Sequence, residues 1–162
     1  MEISRTDKGL LLAGLDLFLV ELLQQIPVSA DPSDSDAARE RLFSKPADEP
    51  ETNQEWKDYV EPELAELFES AMETVKRDLK RVRKDENSVE GEYRLRIPPR
   101  HYDAWLNALN QARLALAARH GFSEKDLDHD RLTSLATARD LSLFQIHFYG
   151  FLQECLVHEM NG

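Results

Sequence analysis

His147, Glu154 and His158 stand at i, i+7 and i+11 near the end of the chain, which lays all three along one stripe if the segment is helical. Imidazole nitrogens with a carboxylate suit zinc, iron or manganese, so these are the candidate metal ligands. The spacing is loose. Only Glu154 and His158 fall on adjacent turns, and the Glu-x-x-His pattern of di-iron bundles is absent because His158 follows Glu154 by four positions. The simpler reading makes His147 a hydrogen-bonded histidine and His158 a cation that complements the end of a helix. Cys155 lies between the same residues, but a reactive thiolate needs a helix N-terminus or basic neighbours, and Cys155 has Glu154 and Glu159 instead. It is expected to be a protonated, inert thiol.

A second group is Asn110 and Arg113 with Gln153 and Glu154. Asn110 and Arg113 share a helical face with Leu106 and Leu109, so a guanidinium should emerge beside apolar packing. Such an arginine needs a carboxylate or carbonyl partner, and Gln153 and Glu154 can supply one. The expected role of this polar cluster is to fix how two helices dock. A third group is the basic run Lys76, Arg77, Lys80, Arg81, Arg83 and Lys84, which could face nucleic acid. Cations at a helix end also complement its dipole, and Glu73 can pair with Lys76 or Arg77 at i+3 or i+4.

Several chemistries are missing from the sequence. Its six glycines form no phosphate-cradling loop, and there is no Gly-x-Ser-x-Gly elbow, HExxH or calcium-binding loop. No catalytic residue and no cofactor is therefore assigned. The 162 residues carry 20 Lys plus Arg against 31 Asp plus Glu, a formal charge of −11, which disfavours a bulk nucleic-acid or anionic-lipid binder. One cysteine excludes an intrachain disulfide framework.

The elements that position these residues read mainly as helices. Leu11, Leu15, Phe18, Leu22 and Ile26 recur at helical spacing and Pro27 ends the pattern, predicting a first helix with Ser4 or Thr6 near its cap. The apolar run Leu10 to Val20, with Val28-Ser29-Ala30 after it, has the outline of a secretory signal. Asp16 and Glu21 interrupt it, so the expectation is a cytoplasmic protein without a leader. No stretch reaches the roughly 18 clean apolar residues of a membrane span.

Residues 28–52 are rich in Pro, Ser, Asp and Glu and read as an acidic mobile loop with one short helix from Ser35 to Phe43. A second helix is predicted from Pro62 to Arg83 through Leu64, Phe68, Ala71, Val75 and Leu79. Tyr93, Leu95 and Ile97 alternate with Arg94 and Arg96 as a strand does, and the one evident partner is Glu2-Ile3-Ser4. Pro98-Pro99 open a third helix that Gly121 closes. Thr137 with Asp140 caps a last helix to Glu159, apolar nearly all round and so either central or covered by a second copy.

Three segments carry a family resemblance: Val60-Glu61-Pro62-Glu63-Leu64, the stretch Trp105-Leu106-Asn107-Ala108-Leu109-Asn110-Gln111-Ala112-Arg113-Leu114-Ala115-Leu116, and Tyr149-Gly150-Phe151-Leu152-Gln153-Glu154-Cys155-Leu156-Val157. They resemble an uncharacterised bacterial family catalogued as a domain of unknown function, two-zero-one-seven in that series. Its actinobacterial members are often encoded beside the small adaptor of the Clp protease. The resemblance implies no activity and no catalytic residue; its gene neighbourhood points toward protein quality control or regulation.

The sequence thus predicts one all-α domain over residues 1–162, a bundle of four main helices with one or two short ones and at most a minimal two-stranded ribbon. The expected function is a non-enzymatic protein-interaction or adaptor module acting on an unidentified protein partner. The alternatives are a metal-dependent enzyme using the last helix and a DNA-binding regulator using the basic helix end. A homodimer through the last helix is a further expectation.

Overall fold

The computed structural model describes residues 1–43, 50–127 and 135–162. Strand β1 (Glu2–Thr6) turns back into β2 (Gly9–Leu15), and helices α1 (Leu17–Gln24) and α2 (Ile26–Ala30) follow. Then come α3 (Asp36–Leu42), α4 (Pro50–Glu55), a wide π-type turn (Trp56–Val60) and α5 (Glu61–Leu79). Strands β3 (Arg83–Lys84) and β4 (Tyr93–Ile97) precede a 3₁₀ turn (Pro99–His101) and α6 (Tyr102–His120); α7 (Glu124–Leu127) and α8 (Ala138–Asn161) complete the described chain.

The protein is mostly helical, but not all-α. Four antiparallel strands form a sheet in the order β1-β2-β4-β3, in place of a two-stranded ribbon. The correction centres on Gly9–Leu15, which was expected to begin a helix. Leu10 pairs with Ile97 and Leu12 with Leu95, and these inward side chains are buried. The apolar run is too short and continuous for periodicity to separate strand from helix. Its glycines decide the matter. Gly9 has φ +117 and Gly14 φ +65, and a Cβ on Gly9 would lie 2.1 Å from the Ile97 carbonyl oxygen. A bulge between Leu12 and Leu15 turns Leu15 inward as well.

Asp16 then starts the helix, its carboxylate accepting from Leu19 N–H at 2.8 Å. Thr6, expected as a cap, instead donates its hydroxyl to Gly9 O across the β1–β2 turn. Strand β4 does not meet β1, because β2 lies between them.

Helix α6 is the centre of the packing and lies against α8, α5, α2 and α3. Trp105, Ala108, Leu109, Ala112 and Ala115 are fully buried on it, and small residues at successive turns let the neighbouring helices approach closely. Gly121, with φ +63, ends it in the left-handed conformation expected. Helix α8 begins with the Thr137–Asp140 capping box and buries Ile146, Tyr149, Leu152 and Leu156, while Leu141, Phe151 and Val157 stay exposed. Tyr149 fastens it to α1: the hydroxyl donates to Leu22 O at 2.6 Å, and burial pushes its pKa up to about 12.

In the stretch 28–52, α3 occupies Asp36–Leu42 with Ser35 as its cap, and α2 and α4 reach in from either side; residues 44–49 lie outside the described residues. Helix α5 stops at Leu79, short of Arg83. Arg81 N–H and Val82 N–H bond back three residues to Asp78 O and Leu79 O, tightening the last turn and releasing Arg83 into β3. Among the described residues, no helix is long and apolar enough to cross a membrane.

Candidate functional site

Helices α2, α3, α5 and α6 line an open-sided cavity of about 400 Å³. Its apolar wall comes from Pro27 and Ala30 of α2, Leu42 and Phe43 at the end of α3, and Phe68 and Met72 of α5. Parts of the wall are held by packing against one another and against α6. Ala38 and Leu42 pack with Ala115 of α6 in a small cluster of their own, and Phe43 meets Phe68 with ring centroids 5.7 Å apart. The turn after α2 is gripped by Arg119 from the end of α6. Its guanidinium donates to Ser29 O, Asp31 O and the Asp34 carboxylate, so three points of one turn hang on one rigid fork.

The polar groups of the cavity are few. Asp31, Glu69 and Glu73 bring carboxylates to it and Lys76 one ammonium. Asp31 accepts from Ser33 N–H at 3.0 Å, and that backbone bond holds its carboxyl below the ordinary 3.8, so it stays charged. Gln111 of α6 also lines the cavity. It is 3% exposed, and its Nε2 is buried with no hydrogen-bond partner. A buried N–H left unpaired costs about 1–3 kcal/mol, which a bound acceptor would recover. Among the described residues, no His, Ser, Thr or Cys lines this cavity. It offers apolar contact, negative charge, the Lys76 ammonium and a buried amide N–H without a partner.

Sequence reasoning passed over Gln111, although it falls three positions from Ala108 and four from Ala115, inside the small-residue stripe that faces the core. It also missed Asp78. This aspartate is 1% exposed on α5, and its carboxylate accepts from Trp105 Nε1 at 2.8 Å and from His101 Nδ1 at 2.8 Å. The only signal was a charged residue at i+3 from buried Val75, together with a tryptophan whose N–H required a partner.

The residues singled out from sequence separate. His147 is half-buried with Nε2 unpartnered, whereas Glu154 and His158 are exposed along a groove of about 520 Å³. Among the described residues, no three His, Cys, Asp or Glu side chains gather where they could share a metal ion. Arg113 Nη1 donates to Gln153 Oε1 at 2.7 Å, and Gln153 Nε2 donates on to Leu106 O at 3.4 Å, which joins α6 to α8. Glu154 lines the same groove as Arg113 without an ion pair to it, and Asn110 is exposed. Burial first, and then Glu154 and Glu159, push the Cys155 thiol up. The basic run is split: Lys76 faces the cavity, while Arg81 and Arg83 turn toward the sheet.

A family model described as Domain of unknown function (DUF2017) matches residues 5–160. No curated protein and no solved structure matches the chain.

Proposed function

Because the chain belongs to the DUF2017 family, whose description carries no activity, we propose from the chemistry of the α2–α3–α5–α6 cavity that the protein is a non-enzymatic interaction module. It takes a segment of a partner polypeptide. One apolar side chain of the segment enters between Phe43, Phe68 and Met72, and a backbone carbonyl beside it accepts from Gln111 Nε2. A Lys or Arg next to the anchor meets Asp31, Glu69 and Glu73. The observation that carries this reading is the buried, unpartnered Gln111 N–H among the residues that line a partly apolar cavity.

A polypeptide suits the cavity better than a small polar metabolite. The wall supplies area for an anchor residue and, in Gln111, an uncharged amide donor beside it, which is the pattern of a side-chain pocket backed by one main-chain contact. The test is a titration of the ¹⁵N-labelled protein with short blocked peptides carrying a central Leu or Phe flanked by Arg. The expected result is a saturable shift of the Gln111 side-chain amide and of the Phe43 and Phe68 backbone signals, abolished when the central residue is Asp. Signals that stay in place at millimolar peptide would overturn the reading.

A further inference from the structure

The β3–β4 side of the sheet's exposed face collects cations. Arg94 and Arg96 alternate along β4 with buried Leu95 and Ile97, so both point outward. Arg83 of β3 is directly opposite Arg94, and Leu11 of β2 is opposite Arg96. Arg81, just past the end of α5, completes the group. Together these four arginines and Leu11 line a concavity of about 120 Å³.

Like charges opposite one another on a sheet repel, so this arrangement is unfavourable when empty. The molecule carries 31 carboxylate side chains, yet among the described residues none forms an ion pair with Arg81, Arg83, Arg94 or Arg96. Arg83 Nη1 donates to Lys80 O at 3.0 Å and to Val82 O at 3.2 Å, which holds its guanidinium in place and leaves its other N–H groups free. Unpaired guanidinium forks around a small hollow, that of Arg83 held in place, match an oxyanion.

We propose that this concavity binds a phosphoryl group. A phosphate ester carries about −1.5 to −2 charges at neutral pH and three acceptor oxygens, which answers several guanidiniums at once where a carboxylate answers one or two. The size of the hollow admits one tetrahedral anion. A duplex nucleic acid is disfavoured because the rest of an acidic molecule would repel a long polyanion. The phosphoryl group can be free phosphate, a phosphorylated side chain or the phosphate of a nucleotide.

The experiment is thermal unfolding and calorimetric titration of the full chain with sodium phosphate, O-phosphoserine and adenosine 5′-monophosphate, at constant ionic strength set with chloride. At least one of the three should raise the melting temperature saturably. Arg94→Gln with Arg96→Gln should weaken binding at least about tenfold and raise the melting temperature of the phosphate-free protein, since a repulsion is removed. Arg83→Gln is the second variant, with the same direction expected. Tighter binding of phosphoserine assigns a phosphorylated protein, tighter binding of the nucleotide assigns that ligand, and equal binding assigns free phosphate. The proposal fails if phosphate acts no differently from chloride, or if the variants bind as the parent does. It fails equally if a 20-base-pair duplex binds more tightly than any monophosphate with a steep salt dependence.

Discussion

Asp78 and Gln111 are both polar side chains sunk in apolar surroundings, 1% and 3% exposed, and the fold treats them in opposite ways. Asp78 receives two donors, Trp105 and His101, and so ties α5 to α6 at a point where neither helix can shift without orphaning a charge. Gln111 sits on the same helix as Trp105, faces a cavity and has an N–H with nothing to donate to. A satisfied buried polar group holds structure together, whereas an unsatisfied one costs stability and leaves bonding capacity unused. The same contrast separates Arg5, Arg39, Arg119 and Arg139, which pair with Glu159, Glu61, Asp34 and Asp126, from the sheet arginines, which pair with no carboxylate among the described residues.

The largest effect is expected at Asp78. Asp78→Ala leaves the indole N–H and the imidazole without their acceptor inside the protein and should cost about 3–5 kcal/mol, read as a fall in the urea midpoint. Asp78→Asn keeps one acceptor for Trp105 and should cost less. A small loss in Asp78→Ala would break the comparison, because the network would then not be holding the helices.

Gln111 should behave the other way. Gln111→Leu removes an unpaired donor, adds apolar surface to the cavity lining, and should raise stability by about 1–2 kcal/mol while abolishing the peptide response. A destabilised Gln111→Leu would mean the amide is satisfied in solution, and the distinction between the two residues would vanish.

How much of this was legible in the sequence depends on the distance between cause and effect. Gly121 and the Thr137–Asp140 box act within a few residues, so they announce the end of α6 and the start of α8. The alternation of Tyr93, Leu95 and Ile97 likewise shows β4. Strand β2 was lost because Leu10 to Leu15 satisfies both periods at that length, and Asp16, read as an interruption of an apolar run, is in fact the cap that divides strand from helix. The cavity was not legible. Its walls come from four helices, and what makes Gln111 notable is an absence of partners that only packing reveals. The Asp78 network spans 23 and 27 positions, beyond any local pattern.

Arg113 falls between the two extremes, with Nη1 bonded to Gln153 and Nε buried without a partner. Arg113→Ala should therefore cost about 1 kcal/mol, a single hydrogen bond with some packing, and not the loss expected at Asp78. Gly150 sharpens the point. A Cβ there would come 3.2 Å from the Arg113 guanidinium carbon, so Gly150→Ala must push the arginine aside. In the Arg113→Ala background that contact is gone, and the same change should stabilise α8 by about 0.5–1 kcal/mol, the ordinary preference of a helix interior for alanine over glycine. Additive effects of the two substitutions in chemical denaturation would show that Arg113 does not rest on Gly150.

The smallest effect is a pH dependence carried by His120. Its Nε2 is 2.9 Å from Ser142 Oγ, and burial, followed by Arg139 and Arg119, holds its pKa below the ordinary 6.5. The unfolded chain then takes up a proton at a higher pH than the folded protein does. The stability that His120 contributes is present in full above about pH 6.5 and is lost as pH falls through the lower folded value. Asp31, also depressed, acts in a separate window: its contribution is present above 3.8 and lost as pH falls through its own lower value. A melting curve followed from pH 7.5 down to 5 should therefore decline in the parent protein and flatten in His120→Gln, whose amide oxygen can still accept from Ser142. If both proteins decline equally, the proton taken up on unfolding belongs to another group, and His120 is solvated as freely folded as unfolded.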